Sequence, residues 1–221
     1  MMHQLKMVLC GLLCLILPFT ALATNLGKVR ITPLPGTVTL TFDDGPSPIY
    51  TPKVLAILKK YHVKATFFVM GWAAKKYPHL LKQMVADGNA VASHTDSHPK
   101  LTKISQRQLL HEVVMPRDAI KAAIGKAPVC LRPPFGIGNK RVAAFIRKHG
   151  MIMVPMGFNS FDYKRPGVKK LVSWVVSNAK AGRVILLHDG YKARQQTVDA
   201  LPGIIKGIRK KGLGFSAICY P

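Results

Sequence analysis

From Thr37 to the chain's end, short apolar runs rich in β-branched residues alternate with stretches whose apolar residues recur three and four apart. This alternation constrains the fold more than any other feature, because strands separated by helices pair in parallel with the helices packed outside. The expected strands are 37–42, 65–69, 90–93, 129–131, 151–155, 183–187 and 214–219. The expected helices are 52–61, 78–87, 105–125, 140–149, 168–181 and 197–211, with Gly88, Gly125, Gly150, Gly182 and Gly212 placed as C-terminal stops. Near-complete alternation over the whole segment favours an α/β fold closed as a (β/α) barrel of about seven parallel strands, one short of eight, with an open doubly wound sheet as the alternative. In either architecture the chemistry belongs at the C-terminal ends of the strands.

The segment before the first strand has a different character. A short basic start through Lys6 precedes an apolar run from Met7 to Phe19, and Ala21-Leu22-Ala23 has the form of a cleavage site. The expectation is a secretory signal peptide over residues 1–23, followed by one catalytic domain over 24–221, secreted or periplasmic. An uncleaved anchor is the alternative, although the run falls short of the ~20 residues that span a bilayer. Cleavage would remove one of the 33 basic residues and none of the nine acids, so +23 of the net charge of +24 belongs to the exported domain. That charge predicts attraction to anionic cell wall or membrane surface, and export argues against nucleic acid as the partner. Cys10 and Cys14 would leave with the leader. Cys130 and Cys219 would remain where pairing is permitted, but both fall in expected strands far apart in order, which favours two separate buried thiols.

Five segments fall just beyond expected strand ends. The first, Thr41-Phe42-Asp43-Asp44-Gly45-Pro46, sets two carboxylates side by side, a repulsion that a cation or basic partner relieves; alone, it also reads as an Asx turn. The second, His94-Thr95-Asp96-Ser97-His98, carries two imidazoles four apart that can converge on one ion. Two His and one Asp form a ligand set that leaves room for water, as in catalytic zinc sites. Arg132-Pro133-Pro134-Phe135 supplies a guanidinium that can pair with a carboxylate. Asp162-Tyr163 and Leu186-Leu187-His188 bring a carboxylate that can charge a histidine into a general acid. Asp96 and Asp189 read as turn or helix caps, Asp189 being close enough to His188 to tune it.

In this order and spacing the five segments resemble the NodB-homology polysaccharide deacetylases, from about Thr37 to the end of the chain. The resemblance implies a distorted barrel and metal-dependent removal of acetyl groups from sugars. It implies Asp43 as general base, Asp44, His94 and His98 as metal ligands, and Arg132 as the residue holding Asp43. The Phe135 backbone N–H would stabilise the oxyanion, and Asp162 would orient His188 as the acid. The implied metal is a divalent ion, Zn²⁺ first and Co²⁺ as an alternative. Pro134, Phe135, Tyr163 and Leu186 would line the substrate site. Many relatives carry Tyr where this chain has Phe135 and Trp where it has Tyr163; the second departure alters the wall beside the acetyl group.

Trp72 follows a strand and could line a sugar subsite, whereas Trp174 lies within an expected helix and reads as core packing. The expected substrate is N-acetylglucosamine of peptidoglycan, with chitooligosaccharide or another exopolysaccharide as the alternative. From a different class, the charge itself could be the function, in a cationic module binding anionic wall polymer.

Overall fold

The computed structural model describes residues 29–220, so the expected leader, with Cys10 and Cys14, lies outside the described residues. The strands are β1 (Thr37–Asp43), β2 (Thr66–Val69), β3 (Ala90–Ser93), β4 (Cys130–Leu131), β5 (Ile152–Met153), β6 (Phe158–Asn159), β7 (Val184–His188) and β8 (Gly214–Phe215). They pair in parallel in the order β5-β4-β3-β2-β1-β7-β6, and β8 pairs with the start of β1. The path ends at β5 on one side and β6 on the other, so the sheet curls into a half-barrel rather than a closed one. The curl is tight enough for Arg132, just past β4, to donate hydrogen bonds to Thr41 and Asp43 on β1, three strands away.

Strand β1 shows how the sequence builds two unlike faces. In Thr37-Val38-Thr39-Leu40-Thr41-Phe42-Asp43, alternate side chains point to opposite sides. Val38, Leu40 and Phe42 join the main core with Phe67, Leu171, Val175 and the buried residues of the last helix. Thr39, Thr41 and Asp43 face the concave side, where their oxygens need partners. Thr39 Oγ1 donates to Ser216 O, and Thr41 Oγ1 donates to Ile185 O while accepting from Arg132.

The helices are α1 (Thr51–Lys60), α2 (Gly71–Lys76), α3 (Pro78–Ala86), α4 (Gln106–Ile124), α5 (Lys140–Lys148), α6 (Val168–Asn178) and α7 (Gln195–Lys210). Six match the expected helices within a few residues. Helix α4 starts at a capping box in which Ser105 and Gln108 satisfy each other's backbone amides, and it stops at Gly125, whose φ of 76° a Cβ would disfavour. Helix α2 and strand β6 were not expected; six and two residues are too short to show a period.

The last expected strand, 214–219, is corrected. It ends at Phe215, after which the chain turns across the concave face. Ser216 O accepts from Thr39, and Thr66 Oγ1 donates to Ile218 O and accepts from Ile218 N. This crossing brings Cys219 to β4, where it is disulfide-bonded to Cys130 with Cα atoms 5.7 Å apart. The expectation of separate thiols therefore fails. It assumed that both cysteines lay in strands, whereas a segment running transverse to the sheet passes from β1 to β4 in a few residues. Phe68, Ala92, Val154 and Ile218 pack around the pair. Among the described residues no helix is long and apolar enough to cross a membrane.

Candidate active site

Parallel register sets the first contacts of the site. Asp43 ends β1 directly beside His188, which ends β7. On the other flank His94 N donates to Val69 O and Arg132 N donates to Ser93 O, so the residues just beyond β3 and β4 arrive at the same rim. The result is a cavity of about 600 Å³ lined by Asp43, Asp44, His94, His98, Arg132, Phe135, Tyr163, Leu186 and His188, among others.

Asp44, His94 and His98 present one ligand atom each, all within 4.8 Å of one another. Nε2 of each histidine lies 3.5 Å from Asp44 Oδ1. Donors about 2.1 Å from a tetrahedral ion stand roughly 3.4 Å apart, so this spacing fits zinc-like coordination. Asp44 Oδ1 is also buried without a hydrogen-bond partner, as a free ligand oxygen would be. His94 Nδ1 lies 2.8 Å from Arg132 O; donating a proton there fixes the tautomer that leaves Nε2 free for the metal. Burial would raise the Asp44 pKa, but nearby His94, His188 and His98 hold it down to about 2. Burial, reinforced by the charge of His94, lowers the His98 pKa and favours its neutral, metal-binding form. The residues present therefore fit a divalent ion.

Two further side chains hold this ligand set, and neither belongs to a strand-end motif. Glu112, buried on α4, accepts from Asp96 N (2.9 Å), Ser97 N (2.8 Å) and Ser97 Oγ (2.5 Å), clamping the turn between the two histidines. That turn needs holding, because Thr95 and His98 both have positive φ, near 69°. A lone acid within the apolar stripe of Leu109, Val113, Pro116 and Ile120 was the signal available. Arg194, buried just before α7, donates from Nε to Gly190 O and from Nη2 to Asp44 Oδ2, leaving Oδ1 toward the histidines. The close approach at this point leaves Gly190 no room for a side chain, since a Cβ would strike the Asp44 carbonyl. Arg194 belongs to no spacing pattern in the sequence.

Opposite the ligands, Asp43 Oδ1 accepts from Arg132 Nη1 at 2.7 Å, and Oδ2 lies 3.8 Å from His94 Nε2. Arg132 is wholly buried; it stacks on Phe68 at 3.9 Å and donates from Nε to Pro155 O. Burial lowers its pKa, an effect the Asp43 carboxylate opposes. Asp162 Oδ1 lies 2.7 Å from His188 Nδ1, and Oδ2 accepts from His188 N and Thr197 Oγ1, both at 2.8 Å. Burial would discharge His188, but the hydrogen bond and charge of Asp162 raise its pKa. Asp162 moves the other way: burial opposes ionisation, and His188 overcomes it. Tyr163 meets the His188 ring edge-on at 5.7 Å.

Several expectations change. Pro133 rather than Pro134 lines the cavity, Pro134 opening the 3₁₀ turn that follows, whereas Asp162 keeps its expected place against His188, just behind the cavity. Trp72 is exposed but outside the cavity, since α2 starts immediately after β2 and packs on α4. Trp174 is not core; it is exposed on α6 against Phe158 and Phe161. Asp96 lies 3.3 Å from His111. Asp189 caps no helix: fully buried, it accepts from Thr51 Oγ1, and burial pushes its pKa up to about 7.

A family profile described as "Polysaccharide deacetylase" matches residues 30–154. A chitooligosaccharide deacetylase from Bradyrhizobium is 38% identical over 208 residues, covering 89% of this chain and 94% of its own. A peptidoglycan-N-acetylglucosamine deacetylase from Bacillus cereus is 36% identical over 183 residues, covering 82% and 85%. The crystal structure of the Bc1960 peptidoglycan N-acetylglucosamine deacetylase superposes with a TM-score of 0.80 at 31% identity, over 85% of this chain and 89% of that one. A chain that shares the fold nearly end to end, and sets these side chains around one cavity, belongs to the polysaccharide deacetylase family.

Proposed function

We propose that this protein is an exported, metal-dependent hydrolase that removes N-acetyl groups from N-acetylglucosamine residues of peptidoglycan. The observation that carries this reading is the convergence, in one cavity, of a three-donor ligand set, a carboxylate held by a buried arginine and a histidine held by a buried carboxylate. These are the parts that amide hydrolysis needs.

A bound divalent ion, Zn²⁺ or Co²⁺, would supply Lewis-acid polarisation of the acetyl carbonyl and an acidified water. Asp44, His94 and His98 would hold it. Arg132 occupies Oδ1 of Asp43, so Oδ2 is the oxygen that accepts the proton of the attacking water. The oxygen of that water bonds to the acetyl carbon, and the Phe135 N–H receives the developing oxyanion. As the C–N bond breaks, His188, held at Nδ1 by Asp162, donates from Nε2 to the leaving nitrogen. The products are acetate and an amine. Leu186 and Tyr163 wall the acetyl side.

Peptidoglycan is favoured because relatives of the chain act on it and because a net charge of +24 suits an anionic wall. The similar Bradyrhizobium protein supports chitooligosaccharide as the second reading. Export rests on the leader-like start, and the Cys130–Cys219 disulfide supports it, since such bonds persist in oxidising compartments. The test is acetate release by the protein from Thr24 onward, on purified peptidoglycan and on chitooligosaccharides, with chelator and with added Zn²⁺. Chelator-sensitive release that His94→Ala and His98→Ala abolish is the expected result. Release that survives either substitution in a folded protein would overturn the metal assignment, and no release from peptidoglycan would remove it as substrate.

A further inference from the structure

Beyond the cavity, four aromatic rings continue outward from the acid. Tyr163, which lines the cavity beside His188, stands 6.3 Å from Phe161; Phe161 stands 6.2 Å from Trp174, and Trp174 stands 5.7 Å from Phe158. Three of them are strongly exposed for their size: Tyr163 by 43%, Phe161 by 37% and Trp174 by 43%. At the far end Arg183 covers the Phe158 ring at 5.0 Å, and Lys164 lies 5.0 Å from the Phe161 ring centre.

The row is built rather than incidental. Asn159, itself a cavity residue, braces it twice: its Oδ1 accepts from Phe161 N at 2.8 Å, and its backbone O accepts from Trp174 Nε1 at 3.2 Å. Phe161 is held at φ 59°, a left-handed conformation unfavourable for a bulky residue, and its ring is exposed. Exposed aromatics joined to a ligand cavity mark a binding surface.

We propose that Phe161 and Trp174 form an outer subsite on which sugar units of the glycan, neighbouring the one being deacetylated, rest their apolar ring faces. The inference rests on the deacetylase reading, which supplies the polymer. Continuity through Tyr163 selects the occupant, because a glycan engaged at His188 extends past these rings. Each ring-to-ring step is comparable to the length of one hexose. Lys164 makes no ion pair among the described residues, so it is free to meet hydroxyls or carboxylates on the same chain.

The test is steady-state kinetics on short and long glycan fragments from whichever polymer the wild-type protein deacetylates. Trp174→Ala should raise KM for long fragments by about tenfold, the upper range for one aromatic contact, with kcat unchanged. On the shortest fragment both constants should stay at wild-type values. Phe161→Asn, which tolerates the left-handed backbone while removing the ring, should behave alike, and Trp174→Phe should restore most of the long-fragment KM. Wild-type KM in both ring-removing variants, or a loss equal on short and long fragments, would overturn the subsite. If Trp174→Ala does not fold, Phe161→Asn alone decides the matter. Absence of acetate release by the wild type would count against the deacetylase reading instead. Loss of self-association in the variants, with kinetics unchanged, would assign the row to a second copy of the chain.

Discussion

Glu112 touches neither of the proposed histidine ligands, yet it sets where both point. Its two oxygens take two backbone amides and one hydroxyl of the turn, and no other side chain among the described residues bonds to those three donors. Removing them frees a turn with two left-handed residues to relax. Glu112→Ala is therefore expected to weaken metal affinity by about tenfold or more, the usual cost of losing an outer-shell partner. Glu112→Gln, which keeps an oxygen for the two amides, should lose less. Titration of the apo protein with Zn²⁺ or Co²⁺ checks this, and wild-type affinity in the Ala variant would refute it. The acid has a different dependence on its neighbour. Asp162 raises the His188 pKa, so the acid stays protonated to higher pH and activity falls as pH rises through that raised value. In Asp162→Asn the charge is gone and burial remains, so the alkaline limb of kcat/KM should move to lower pH, with kcat down about a hundredfold or more. A pH–rate profile with an unmoved limb would sink the assignment.

Elements differ in how openly they announce themselves. Helices α4 and α7 carry several apolar repeats each and are legible from periodicity alone, and α4 adds its Ser105 and Gly125 boundaries. Strand β1 is legible because its concave side chains must be polar and its convex ones apolar. Two-residue strands such as β6 have no pattern to read, and their place comes from backbone pairing with β7. The segment after β8 is the clearest case. Ser216-Ala217-Ile218-Cys219 is apolar enough to look like strand, yet its polar partners, Thr39 and Thr66, sit on the concave face and draw it across. Pinning that crossing closes a loop with a sequence separation of 89. Cys130→Ala, or reduction, should lower unfolding stability by about 2–5 kcal/mol. Urea unfolding with and without reductant measures it, and coincident midpoints would show the bond contributes nothing.

Charge acts on the molecule as a whole. With 33 basic residues against nine acidic ones, attraction to an anionic wall is long-ranged and screened within about 8–10 Å at ordinary ionic strength. Sedimentation with isolated wall should accordingly fall steeply as salt rises, while turnover of a short neutral oligosaccharide changes little. Salt-independent sedimentation would mean that the net charge does not drive association.

The division between chain and fold follows from range. Periodicity, glycine stops and strand-end motifs are local, so the sequence alone determined the α/β alternation, most of the helices and the side chains that carry the cavity's chemistry: Asp43, Asp44, His94, His98, Arg132 and His188 all line one space. Which strands neighbour which, and how far the sheet curls, depend on contacts between distant segments. Tertiary structure alone therefore decided that Cys219 reaches Cys130, that Glu112 and Arg194 grip the ligand set, that Trp72 points away, and that Trp174 stands in the open beside the cavity. Each of those outcomes is a meeting of residues far apart in sequence, and no local pattern encodes such a meeting.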